Sequence, residues 1–245
     1  ENPENNFLPA TGSLNVYRKP DCTSFAIGDV RVDDGVREGD AISPFYDSMI
    51  AKLIVHGEDR AQALARLDAA LAQTHIVGLT TNVQFLRQVV KSQAFSNALL
   101  DTALIERERE ALFGKDFVGR DLAVAAAMAW QLQGEQAGQG VDPFSQRDGW
   151  SMYGRVQRYF QFAYQGTELA ATLAYAQGGA PAQLRVSEVG DAAAGEAQTL
   201  QWRALGAGGL DLQLGAQRCS VQVYVQGEAV TVFTPAGSAQ LTEVD

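Results

Sequence analysis

The chain has 245 residues, 46% of them hydrophobic, and a formal net charge of −10. That length exceeds one average domain and points to two. The acidic balance argues against nucleic acid or an anionic membrane as a main partner, since both are themselves negative. Cys22 and Cys219 are too few and too far apart to read as a disulfide framework or a metal cluster. They read as reduced, mostly buried thiols. No apolar run reaches the roughly 18 residues of a membrane helix. The chain opens Glu1-Asn2-Pro3 without Met or signal peptide, which reads as a piece of a longer protein. A composition rich in Ala, Gly and Gln favours a bacterial cytoplasm, or the mitochondrial matrix if the source is eukaryotic.

Pro3, Pro9, Gly12 and Pro20 punctuate the start as loop and turn. Leu14, Val16 and Tyr17 then predict a short strand. Residues 25–32 (Phe-Ala-Ile-Gly-Asp-Val-Arg-Val) predict a second, ended by an Asp33-Asp34-Gly35 turn. Residues 43–57 place one carboxylate, Asp47, and one ammonium, Lys52, in an otherwise apolar run. Buried charge is costly unless paired, so this run reads either as a buried strand with a satisfied ion pair or as part of a site. Ala61, Leu64, Leu67 and Leu71 share a helical face, with acids in the first turn where the helix dipole favours them. A short buried strand follows over 75–79, and Thr81-Asn82 caps a second helix. A third helical piece runs from near Asp101 through Glu106-Arg107-Glu108-Arg109-Glu110, a solvated face with i,i+4 pairs. His56 and His75 read as core or surface histidines.

Phe113-Gly114-Lys115 and Gly119 mark a boundary, giving units 1–112 and 113–245. Residues 121–132 are apolar nearly all round, as in a helix buried on every side. A long connection follows from Gly134, carrying Phe144 and Trp150, large groups that want a partner surface. Beyond Met152 the period becomes two: Phe160, Phe162 and Tyr164 alternate with other residues, as do Leu210, Leu212 and Leu214. Glycine-marked turns separate roughly eight strands, an antiparallel barrel or sandwich. The economical place for the apolar helix is inside a barrel. The expected fold is therefore α+β: a small α+β unit, then an antiparallel β-barrel of about eight strands around one central apolar helix.

Pro44-Phe45-Tyr46-Asp47-Ser48-Met49-Ile50-Ala51-Lys52-Leu53 resembles the Pro-x-Tyr-Asp-Ser-Met-Ile-x-Lys-Leu signature of the C-terminal part of biotin carboxylase. Three more stretches resemble that family in the same order: Glu1-Asn2-Pro3 with Phe7-Leu8-Pro9-Ala10-Thr11-Gly12, Val30-Arg31-Val32-Asp33, and Gly78-Leu79-Thr80-Thr81-Asn82. The second half is similar to the subunit-contact (BT) domain in α subunits of propionyl-CoA and 3-methylcrotonyl-CoA carboxylases. Asp142-Pro143-Phe144 and Gly149-Trp150 look more like the 3-methylcrotonyl type, although Ser151 stands where that type has Arg.

The resemblance implies a part of an ATP-dependent biotin carboxylase, with biotin, ATP and Mg or Mn serving the full-length enzyme. The ATP-grasp residues and the arginine that steadies biotin would lie before Glu1, so the piece alone is expected to be inactive. Asp47 would support the biotin site; its alternative is to pair only with Lys52 or to cap a turn. Thr102 matches a segment that closes the adenine pocket. Arg31 matches an arginine at the subunit interface of dimeric bacterial enzymes, which have phenylalanine where this chain has Gly28. Phe144 and Trp150 would dock on the carboxyltransferase β subunit. The biotin carboxyl carrier domain is expected beyond Asp245, because no Ala-Met-Lys-Met motif occurs in the sequence. No metal ligands are assigned. The competing reading is a ligand-binding barrel fused to a small α+β module.

Overall fold

The structure, a computed structural model, describes residues 1–43, 45, 48–114, 116–137, 156–175, 181–191 and 195–244. The chain divides into two compact units, Glu1–Lys115 and Asp116–Asp245.

The first unit holds strands β1 (Gly12–Ser13), β2 (Val16–Arg18), β3 (Val30–Asp34), β4 (Ala41–Ile42), β5 (Ala51–Val55) and β6 (His75–Val77). They form three antiparallel pairs, β1 with β4, β2 with β6 and β3 with β5. Helices α1 (Arg60–Ala72), α2 (Val83–Lys91), α3 (Gln93–Ser96), α4 (Leu104–Arg107) and α5 (Arg109–Leu112) accompany them. Asp59 starts α1, its Oδ1 accepting from the Gln62 amide at 2.7 Å. α1 lies on α2, and Arg87 Nε of α2 donates to Asp68 Oδ1 of α1 at 2.8 Å. Arg87 is only 3% exposed, tolerable because a carboxylate meets the guanidinium. Gly78, at φ +111°, allows β6 to pass close to β1: a Cβ there would lie 2.0 Å from the Ser13 carbonyl oxygen.

Five local expectations shift. The strand predicted from Phe25 begins only at Val30, because Phe25 turns with φ +51° and its amide donates to Asp33 Oδ1 at 2.9 Å. Asp33 and Asp34 therefore belong to the strand rather than a turn. β5 is not buried: it pairs only with β3, and its Lys52 and Ile54 alternate outward. Asn82 sits at the start of α2, but its side chain makes no capping bond. The third helix breaks at Glu108 into α4 and α5, and its charges pair as Arg107 with Asp101 and Arg109 with Glu106 (i,i+3) rather than at i,i+4.

The second unit opens with α6 (Arg120–Ala137) and continues in β7 (Gln157–Tyr164), β8 (Thr167–Ala174), β9 (Ala182–Glu188), β10 (Gln198–Gly206), β11 (Gly209–Leu214), β12 (Gln217–Gln226), β13 (Ala229–Phe233) and β14 (Ser238–Glu243). Each strand pairs antiparallel with the next. β14 returns to β7 through Leu241 opposite Tyr164, closing an eight-stranded barrel. Ala123, Val124, Ala125, Ala126, Met128 and Ala129 of α6 have no exposed surface. They join one core cluster with Phe162, Leu173, Leu212 and Val232 of the strands, and α6 packs against β7 and β9 to β14. Five of the nine α6 residues in that cluster are alanine, so the helix adds little side-chain bulk to it.

Two substitutions test this packing by urea unfolding. Ala126→Leu should destabilise by about 1–3 kcal/mol through overpacking. Leu173→Ala should cost about 2–5 kcal/mol through the cavity it leaves.

Candidate functional site

A cavity of about 520 Å³ opens in the first unit, and Ser48, Met49, Ile50, Ala51 and Leu53 form one of its walls. Four of these five side chains are apolar. Further apolar wall comes from α1 and α2 through Leu67, Leu71, Leu86 and Val90. The polar lining is sparse. Ser48 Oγ donates to Glu1 Oε1 at 3.2 Å, tying the wall to the first residue. Tyr17 and Lys19 also reach the cavity, and both bind Asp34: the Tyr17 hydroxyl donates to Asp34 Oδ2 at 3.0 Å and Lys19 Nζ at 2.8 Å.

These contacts set the electrostatics. Burial raises the Tyr17 phenol well above its usual range, and the Asp34 carboxylate raises it further. Burial alone would raise Asp34, but the bonds from Lys19 and Tyr17 outweigh it and hold the carboxyl below its usual range. Asp34 is thus ionised, and Tyr17 is a neutral donor. Neither is poised to exchange a proton near neutral pH. Among the described residues, no group of three or more His, Cys, Asp or Glu side chains could hold a metal ion. The cavity can bind and brace; its described side chains hold no nucleophile–base pair.

The residues singled out by sequence are dispersed. Asp47, Phe144 and Trp150 lie outside the described residues. Arg31 sits on β3 with its guanidinium committed to Asp33: Nε donates to both carboxylate oxygens at 2.9 Å. The Asp33 carboxyl is held below its usual range, chiefly by that bond. Thr102 is exposed in the turn before α4, where Asp101 Oδ1 accepts from the Ala103 amide at 3.0 Å. Lys52 stands opposite Asp33 across the β3–β5 pair. Cys22 and Cys219 are free and half-buried. The Tyr17, Lys19 and Asp34 cluster had no sequence signal, since β2 and β3 bring it together over 17 residues and no local spacing encodes it.

Two family models match the chain. Residues 1–107 match the biotin carboxylase C-terminal domain, and residues 119–245 match the α-subunit BT domain of methylcrotonyl-CoA carboxylase. The mitochondrial methylcrotonoyl-CoA carboxylase subunit α of Oryza sativa subsp. japonica is 49% identical over 107 residues, which is 44% of this chain and 14% of that protein. The Dictyostelium discoideum protein of the same name is 32% identical over 187 residues, 74% of this chain and 26% of its own length. The chain therefore spans about a quarter or less of these relatives. Among solved structures, the biotin carboxylase subunit of a pyruvate carboxylase aligns with 30% identity and a TM-score of 0.43, covering 47% of this chain and 25% of that one.

His75 on β6 supplies a pH test. Burial pushes its imidazole below the usual 6.5, with a backbone bond to Ala72 offsetting part of the shift. Below that usual value the unfolded chain takes up a proton that the folded chain refuses, so stability should fall as the solution is acidified. Denaturant unfolding at pH 8 and pH 5 should show the drop, and His75→Gln should flatten it.

Proposed function

Because the chain belongs to the family of the methylcrotonyl-CoA carboxylase α-subunit BT domain, preceded by a biotin carboxylase C-terminal domain, we propose that it joins the end of a biotin carboxylase to a docking domain for a carboxyltransferase β subunit. The observation that carries this is the order of the two family matches, one on each side of the division between the two compact units. The same order supports assigning residues 1–112 to the carboxylase and 113–245 to the subunit-contact domain. Packing of α6 against β7 and β9 to β14 favours this reading over a ligand-binding barrel.

In this reading the whole α subunit uses ATP, Mg or Mn, and biotin carried on a carrier domain. This chain contributes form rather than chemistry. The wall from Ser48 to Leu53 backs the active site, and Asp47, just before it in sequence, supports the biotin end. Thr102 closes the adenine pocket, and Arg31, held by Asp33, faces a neighbouring subunit. Phe144 and Trp150 anchor the β subunit. The names of the relatives favour 3-methylcrotonyl-CoA, and with it leucine degradation, over propionyl-CoA. The relatives are named as mitochondrial, which favours the matrix for eukaryotic members; a bacterial member would work in the cytoplasm.

Two measurements test the reading. A Phe144→Ala, Trp150→Ala double variant should bind the β subunit at least about ten-fold more weakly, because buried aromatic anchors dominate interfaces of this kind; undiminished capture would reject the docking assignment. The 245-residue chain alone should hydrolyse no ATP in response to biotin, and measurable turnover would count against the division of labour.

A further inference from the structure

Glu135 lies in the last turn of α6, and Arg158 is the second residue of β7. Arg158 Nη1 donates to Glu135 Oε2 at 2.6 Å and Nη2 to Oε1 at 2.8 Å, a two-pronged pair with both side chains partly buried. The guanidinium also lies over the Phe160 ring, 5.0 Å from its centre, and Phe160 belongs to the barrel core. Tyr175, at the end of β8, bonds to the same guanidinium, and its amide donates to the Val156 carbonyl at 3.0 Å. One fork thus ties the end of the helix to the start of the barrel, and two further contacts lock the fork to the core.

Such a pair is weakly placed to serve stability. Partly exposed ion pairs contribute little to it, and the closed ladder of the barrel stands without this one. Its geometry has another effect. Planar, bidentate Arg–carboxylate contacts fix direction as well as distance. Glu135 and Arg158 flank the connection that carries Phe144 and Trp150, so the fork holds the two chain ends from which that connection departs.

We propose that the Glu135–Arg158 fork is a positioning device for β-subunit docking, which presets the spacing of the last turn of α6 and the start of β7, between which Phe144 and Trp150 lie in sequence. The inference rests on the docking reading above. Fixing the ends before contact removes part of the ordering that binding would otherwise have to supply. Loss of the fork should therefore slow association, whereas loss of the aromatic anchors should speed dissociation.

The test uses the full chain and its cognate carboxyltransferase β subunit, with association and dissociation rates read by biolayer interferometry and Tm by calorimetry. Glu135→Gln and Arg158→Met should each lower the association rate about ten-fold, leave the dissociation rate within about three-fold, and move Tm little. Leu212→Ala, a core variant on β11 away from the fork, should lower Tm more yet leave association unchanged. Wild-type rates in both fork variants, or an association loss in Leu212→Ala that tracks Tm, would overturn the positioning role while the docking reading stands. Failure of the wild-type chain to bind would overturn both.

Discussion

The hydrogen-bond ladder that runs from β7 to β14 and returns to β7 leaves the sheet with no edge. Closure gives every strand a neighbour on both sides. Strand residues such as Phe162, Leu169 and Leu173 are buried in one cluster with the small side chains Ala123, Ala125, Ala126 and Ala129 of α6. Alanine suits this place twice over. It is the strongest helix former, and it adds almost no side-chain bulk or entropy cost. At the β13–β14 turn, buried Thr234 is kept inexpensive because its hydroxyl accepts from the Ala236 and Gly237 amides.

The first unit solves a different problem with weaker means. Its three two-stranded pairs cannot stand alone, since an isolated pair is marginal in water. The helices do the bracing, through the Arg87–Asp68 contact between α1 and α2 and through the edge-to-face packing of Phe7 on Phe85. Large apolar side chains are left outside, among them Ile27 and Phe45 at 100% and 95% exposure. The second unit exposes fewer of them, Tyr159, Val189 and Leu205, among the described residues.

Where a residue pattern is generated by its own element, the sequence announces it. The apolar run in α6 and the period-two runs of β7, β11 and β12 are read correctly because each strand or helix turns its own residues toward one core. Asp59 is a signal of the same local kind for α1. The reading fails where composition is mistaken for direction. Residues 43–57 look buried because they are apolar, but β5 has only β3 beside it and exposes Lys52 and Ile54. It fails again where a side chain reroutes the backbone, as Asp33 does by accepting from the Phe25 amide. The contacts of Tyr17 and Lys19 on Asp34 and of Arg158 on Glu135 join separate elements, and no single stretch carries their trace.

The two bonds on Asp34 bear on what kind of site the first unit can be. One oxygen of that carboxylate receives both a phenol and an ammonium, so its basicity is spent on holding β2 against β3. A carboxylate held below its usual range is a poor proton acceptor near neutrality, and a phenol raised by burial is a poor proton donor to anything but a permanent acceptor. The rim of the cavity is therefore stiff and electrically quiet, while its wall from Met49 to Leu53 is apolar apart from the outward Lys52. The same logic extends to the far end of α6, where Arg158 and Glu135 spend their charges on each other and leave direction, not reactivity, as what the pair contributes.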